Sequence, residues 1–250
     1  MANFLSKLFS KRPPRPPIDL SVLYADMHSH FIPGIDDGAT TIEDSVALIQ
    51  GMANMGYKKI ITTPHIMSDF YKNTPEIISE GLKKVRLALA SAGVIIEIDI
   101  AAEYYLDFDF ERKIENEKLL TFGNNYVLFE ISYMNPPDNL EPIIFKMQTS
   151  GYRPVLAHPE RYPFWHNTFE KYQQLKEKGV LLQLNINSLT GYYSPETKKI
   201  AKQLIDKEMV DFLGTDCHHL QHIELLKSCW DNEDYLHKII NSPHLLNKTL

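Results

Sequence analysis

The segment DMHSHFIPGIDDG, residues 26–38, places two imidazoles one residue apart and follows them with two carboxylates and two glycines. On an extended chain His28 and His30 project to the same side, whereas on a helix that spacing would separate them around the axis. The pattern recurs along the chain. TTPHIM carries His65, AAEYY Glu103, LFEIS Glu130, LAHPERY His158, and GTDCHH Asp216 and His218, while the first loop adds Asp36 and Asp37. Each follows directly on an apolar run. One polar residue at a strand end needs only solvent to explain it; a histidine or carboxylate at nearly every strand end points to a metal site. Imidazoles and carboxylates without a thiolate set favour manganese, iron or zinc over a cysteine-bound structural zinc. The donors are too many for one ion and suit two or three, with a carboxylate bridging. Such clusters activate water and polarise phosphoryl oxygens, which is hydrolytic chemistry.

Something must carry these residues to one place. Short apolar, β-rich runs are expected as strands over 23–29, 58–65, 96–105, 126–132, 153–159, 181–187 and 210–216. Between them, helices are expected over 41–56, 75–92, 139–150, 168–178 and 195–207. The first opens on a threonine cap with Glu43 and Asp44 in its first turn, and two open on proline at a tolerated helix start. Apolar strands alternating with helices indicate a parallel sheet covered on both faces. About seven such units predict a barrel with its site at the carboxyl ends of the strands; an open doubly wound sheet is the alternative.

Composition narrows the class. At 250 residues, 44% hydrophobic and 23% charged, the chain can bury a large core as one domain. Its net charge of −6 argues against a nucleic-acid partner, and no glycine-rich phosphate loop is present. Two cysteines are too few for a disulfide framework, so a reducing, cytoplasmic setting is expected. The stretch MANFLSKLFSKRPPRPP lacks a signal-peptide core. Residues 1–22 are expected as a flexible basic, proline-rich extension. Phe4, Leu5, Leu8 and Phe9 could form one face of a short interfacial helix, with Lys7, Lys11, Arg12 and Arg15 near lipid headgroups at the inner face of a membrane.

The segments DMHSHFIPGIDDGA, TTPH, AEYY, FEIS, AHPERY and GTDCHH, in this order, resemble the motifs of the PHP (polymerase and histidinol phosphatase) superfamily. More closely, they resemble the manganese-dependent protein-tyrosine phosphatases of bacterial capsule and exopolysaccharide clusters. The resemblance runs from Tyr24 through the region 219–227. It implies an α/β fold, a distorted TIM-like (β/α)7 barrel in a single domain over 23–250, with a trinuclear site. At matching positions His28, His30, Glu103 and Asp216 would surround one ion. Glu103 would bridge to a second ion held by Glu130 and His158, and Asp37, His65 and His218 would hold a third. Asp36 is expected in the loop, outside this set. Arg161 would be the phosphate-contacting catalytic residue.

The resemblance further implies hydrolysis of phosphotyrosine by a metal-activated hydroxide, with Mn2+ in the site and iron or zinc as other occupants. The partner would be a phosphotyrosine protein, such as a membrane-associated bacterial tyrosine kinase controlling polysaccharide export. A homo-oligomer is left open. Arg161 can fork onto a phosphate as lysine cannot; its ordinary alternative is a surface pair with Glu160. A phenolate leaves readily, its conjugate acid having a pKa near ~10, so a strong general acid is not obligatory, though Tyr162 could assist or bind substrate. Tyr104, Tyr105, Tyr162, Trp165, Tyr192 and Tyr193 are candidates for an aromatic slot near the rim. Neither cysteine is followed six positions later by arginine, so a thiol mechanism is unsupported: Ile223 and Tyr235 stand there. The rival activities are a small-molecule phosphatase, such as one for histidinol phosphate, and a phosphodiesterase. Glu130, where other branches commonly use histidine, favours the tyrosine-phosphatase branch.

Overall fold

The computed structural model describes residues 16–250. The amphipathic face read from residues 4–15 lies outside the described residues. Parallel strands β1 (Ala25–Asp26), β2 (Lys59–Thr62) and β4 (Glu97–Ile100) form one sheet, in the order β1-β2-β4. A second parallel sheet runs β3 (His65–Ile66), β5 (Glu103–Tyr105), β6 (Tyr126–Glu130), β7 (Arg153–Ala157), β8 (Leu181–Asn185) and β9 (Phe212–Gly214).

The expected strands 58–65 and 96–105 are therefore each broken in two, one at Thr63–Pro64 and the other at Ala101–Ala102. Proline has no N–H to give the ladder. Pairing nonetheless continues across the breaks, as Ala101 N–H donates to the Thr62 carbonyl (3.0 Å) and Glu103 N–H to that of Pro64 (3.2 Å). Counting each broken pair once gives seven strand positions, the number expected. The first and last meet at the rim, where Asp216 N–H donates to the His28 carbonyl (2.8 Å) and His30 N–H to that of Cys217 (3.0 Å). Below the rim the seam is held by side chains. The Asp26 carboxylate accepts from Thr215 N–H and hydroxyl, both at 2.9 Å. The buried Asn247 amide accepts from Leu213 N–H (2.9 Å) and donates to the Ala25 and Leu213 carbonyls.

Strand alternation sorts the core into two layers. Met27, Ile61, Ala101, Leu128, Val155, Ala157 and Phe212 fill the barrel with Phe122 and Tyr126. Their neighbours Ile60, Val127, Phe129, Leu156 and Leu213 face outward to the helices. Helix α1 (Ile42–Asn54) begins at a reciprocal cap: Thr41 Oγ1 accepts from Asp44 N–H and the Asp44 carboxylate from Thr41 N–H. Thr74–Pro75 opens α2 (Pro75–Ser91) and Ser194–Pro195 opens α6 (Pro195–Asp206), each hydroxyl capping the helix. Helices α4 (Leu140–Thr149) and α5 (Glu170–Glu177) lie within the expected spans. Three helices were not foreseen: α3 (Phe108–Asn116), capped by Asp107, α7 (Leu220–Asn232) and α8 (Asp234–Ile239). None of the described helices is long and apolar enough to cross a membrane. The chain already packs on the barrel ahead of residue 23: Leu20 is fully buried and donates its N–H to the Met55 carbonyl, and the Pro16 carbonyl accepts from Trp230 Nε1 (2.9 Å).

Candidate metal centre

All nine donors expected from the sequence converge at the carboxyl ends of the strands. His28 Nε2, His30 Nε2 and Asp216 Oδ1 form one group, and Glu103 Oε2 lies against both imidazoles. His28 Nε2 lies 3.1 Å from Glu103, 3.4 Å from Asp216 and 3.4 Å from His30 Nε2, and His30 Nε2 lies 3.5 Å from each carboxylate oxygen. An ion bonded at ~2.1 Å to each donor sets adjacent donors ~3.0–3.4 Å apart, so the spacings among His28, His30 and Asp216 suit one divalent ion. Glu103 turns its other oxygen to His158 Nε2 (3.0 Å), and Glu130 Oε2 stands 4.0 Å from that nitrogen. Asp37 Oδ1 reaches His65 Nε2 (3.4 Å) and His218 Nε2 (3.3 Å).

His65 does more than the sequence assigned to it. Its Nδ1 lies 3.2 Å from Glu103 and 3.4 Å from Glu130, so the ring stands between the second and third groups. That nitrogen is buried and has no hydrogen-bond partner. A buried ring nitrogen aimed at two carboxylates without a hydrogen bond is what a shared cation would satisfy. The donor set therefore fits divalent ions, with four potential ligand groups among the described residues.

Several local features make this convergence possible. His158 (φ 33°) and Asp216 (φ 50°) are non-glycine residues in left-handed backbone at the tips of β7 and β9. Such conformations carry a cost of order ~1–3 kcal/mol and persist where surroundings impose them. Gly38 lies against His30, where a Cβ would sit 2.1 Å from the His30 carbonyl oxygen; at Gly214 it would sit 2.7 Å from both Gln183 Nε2 and His28 Cβ. Asp36 stands behind the cluster, as expected, holding His30 Nδ1 at 2.8 Å and leaving Nε2 free.

The electrostatics are those of a charge cluster. Burial opposes ionisation of Glu103, but His28 and His65 outweigh it and hold the carboxyl well below its usual range. The same contest, won by His28 and His218, holds Asp216 low. Burial and the Glu103 charge push Glu130 up. Burial and the Arg161 cation depress His158 to about 4, keeping it neutral near pH 7, the form that binds metal.

Arg161 joins the cluster rather than pairing with Glu160. Its Nη1 donates to Asp216 Oδ2 (2.8 Å), and its guanidinium lies over the rings of Tyr193 (4.1 Å) and Tyr133 (5.0 Å). Glu160 is fully buried and turns inward, accepting from Asn185 N–H (2.9 Å) and Ser188 Oγ (2.6 Å). Tyr162 does not offer its hydroxyl to the site: its ring is fully buried behind His158 and Tyr133, and its hydroxyl donates to the Ala157 carbonyl and accepts from Ile131 N–H, both at 3.1 Å. No proton is left for a leaving group. Tyr104 and Trp165 are likewise core residues. Cys217 is fully buried, and burial pushes its thiol far up, leaving it unreactive.

Sequence reading missed Gln183 and Asn185. Gln183 Oε1 accepts from His28 Nδ1 (2.8 Å), its Nε2 donates to Asn185 Oδ1 (2.9 Å), and Asn185 Nδ2 donates to Asp216 Oδ2 (2.7 Å). Two amides on β8 thus connect two of the donors. It also missed Tyr133, whose ring stacks on His158, and His219 and His222, which line the cleft beside the cluster.

A family model described as capsular polysaccharide synthesis, CpsB/CapC, matches residues 24–245. The tyrosine-protein phosphatase YwqE of Bacillus subtilis is 27% identical over 197 residues, 78% of each chain. The tyrosine-protein phosphatase CpsB of Streptococcus pneumoniae is 26% identical over 201 residues, 78% of this chain and 83% of that one. A solved structure from work on those two proteins, described as unique metal-dependent tyrosine phosphatases, superposes with a TM-score of 0.76. It is 26% identical and covers 84% of this chain and 87% of its own. A lactonase from Listeria monocytogenes, 14% identical with a TM-score of 0.53 over 88% of this chain and 93% of its own, shares the fold alone.

Proposed function

Since the chain belongs to the CpsB/CapC family of capsular polysaccharide synthesis, we propose that it is a metal-dependent phosphatase that hydrolyses phosphotyrosine in proteins. The observation that carries this reading is the meeting of nine metal donors with one arginine fork at the strand tips. His28, His30, Glu103 and Asp216 would hold one ion, Glu103, Glu130 and His158 a second, and Asp37, His65 and His218 a third. His65 and Glu103 stand between groups. When bound, divalent ions supply Lewis acidity to the phosphoryl oxygens and lower the pKa of water.

The chain's own residues do the positioning. Arg161 has five N–H donors and uses one on Asp216, leaving others for the phosphoryl oxygens in a forked geometry. The Tyr133 and Tyr193 rings fix the guanidinium plane. Asn185 and Arg161 share one Asp216 oxygen, which directs the other toward His28 and His30. A phenolate leaves without strong acid assistance, its conjugate acid having a pKa near ~10. That matches a site in which Tyr162 is sealed in the core.

In the cell we place manganese in the site and the protein in the cytoplasm. Its substrate is a membrane-associated tyrosine kinase, and the basic, apolar N-terminus brings the barrel to the inner face of the membrane. The test compares turnover of a phosphotyrosine peptide and histidinol phosphate by metal-loaded protein, with and without chelator. Chelator-sensitive preference for the peptide is expected. Preference for histidinol phosphate, or activity indifferent to the chelator, overturns the reading.

A further inference from the structure

A cleft of about 380 Å³ opens on the cluster, lined by Asp37, Arg161, Asp216 and His218 and by aromatic rings. The rings form a built wall. Tyr192 packs edge-on against Tyr193 (centroids 5.1 Å, 68°) and His222 (5.4 Å, 80°), and His222 lies 4.0 Å from the His219 ring. His222 is buried, and its Nδ1 accepts from His218 N–H at 3.2 Å, tying this wall to the metal-donor segment. The face of Tyr193 is taken by the Arg161 guanidinium. Tyr192 remains 41% exposed at the mouth. Among the residues lining this cleft, charge sits on Arg161 and the carboxylates of the donor cluster, and the rings of Tyr192, His219 and His222 make up the rest of the wall.

We propose that Tyr192, backed by His219 and His222, forms the subsite that takes the aryl ring of the substrate. The ring enters as the phosphoryl group reaches Arg161 and the donor cluster. Aromatic pairs prefer offset or edge-to-face contact at centroid separations of about 4.5–7 Å, and a partly exposed tyrosine held by two edge contacts is pre-set to receive another ring. An aliphatic phosphate gains nothing from this wall. Tyr192 is thus a specificity-determining residue, and Tyr104, Tyr162 and Trp165, buried in the core, have no part in it. The inference rests on the phosphatase reading above.

The test uses the metal-loaded full chain and its Tyr192→Ala and Tyr192→Phe variants. Three constants are measured for each: KM for a phosphotyrosine peptide, KM for p-nitrophenyl phosphate, and Ki for inorganic phosphate. Tyr192→Ala should raise both KM values about 5–10-fold, as loss of one ring contact predicts, while Ki for phosphate stays within about twofold. Tyr192→Phe, which keeps the ring, should retain both KM values. An active wild type whose KM values survive Tyr192→Ala overturns the subsite. So does a rise confined to the peptide, which would put Tyr192 against peptide backbone, or a parallel rise in the phosphate Ki. A wild type inert toward both aryl phosphates sinks the phosphatase reading itself.

Discussion

Replacing Gln183 with alanine strikes the donor cluster without removing a donor. The side chain is fully buried, and its Oε1 accepts from His28 Nδ1 at 2.8 Å and from His158 N–H at 3.3 Å. Truncation leaves the His28 Nδ1 proton buried without a partner, at a cost of about 1–3 kcal/mol. It also frees the ring to turn, so that Nε2 no longer points at Glu103 and Asp216. Removing such an outer partner of a ligating histidine typically weakens metal binding about 10–100-fold. Gln183→Met fills nearly the same space but offers only a weak thioether acceptor, which separates lost volume from lost orientation. Chelator competition should show both variants weakened about 10–100-fold in affinity for the tightest ion. Guanidinium unfolding in excess chelator should show alanine less stable than methionine. Wild-type affinity within twofold in both variants would refute the orienting role, whatever their stability.

Other expectations follow from the same geometry. Arg161→Ala should lower kcat/KM toward a phosphotyrosine peptide by ~100-fold or more with metal content intact, the scale of losing a charge-stabilising donor; full activity would remove it from catalysis. Arg161→Lys should restore little, because an ammonium cannot fork. Asp216→Ala and His158→Ala should each lose bound metal and turnover together, and retention of both by either variant would undo the donor assignment. Asn247→Ala should destabilise the fold by about 2–4 kcal/mol, since it strips three hydrogen bonds from the buried β1–β9 seam and leaves Leu213 N–H unpaired. Chemical denaturation reads that directly, and an unchanged midpoint would mean the seam closes without it.

The donors were legible because residue type and local spacing carried the information. His28 and His30 had to share a side only if the chain was extended there, and each remaining donor followed an apolar run. Their grouping was less legible. That His65 stands between Asp37 on one side and Glu103 and Glu130 on the other depends on the Pro64 break and the parallel register of β3 with β5, which pairs His65 with Glu103. Gln183 and Asn185 were passed over because amides in a strand look unremarkable. Yet they alternate with Leu182 and Leu184, in a strand expected to be covered on both faces, at the same two-residue spacing as His28 and His30. Two polar residues aimed into a barrel needed a partner, and that was the missed signal. The Tyr162 assignment failed for a related reason. Its ring continues the buried core past the end of β7, and sequence adjacency to Arg161 says nothing about which way a side chain points. Helix α3 is hard to read because it is short and turns only Phe110 and Ile114, four residues apart, into the core; its start is fixed by Asp107, whose carboxylate caps Phe110 N–H and also accepts from Ser68 N–H.

The central claim is that these strand tips hold the ions that make the site a phosphatase. Its most direct test is turnover of a phosphotyrosine peptide by chelator-stripped protein as manganese is returned in measured equivalents. No turnover is expected at zero equivalents, with recovery on added ion and saturation at two to three equivalents per chain. Undiminished turnover by the stripped protein, or none at any manganese load, would contradict it.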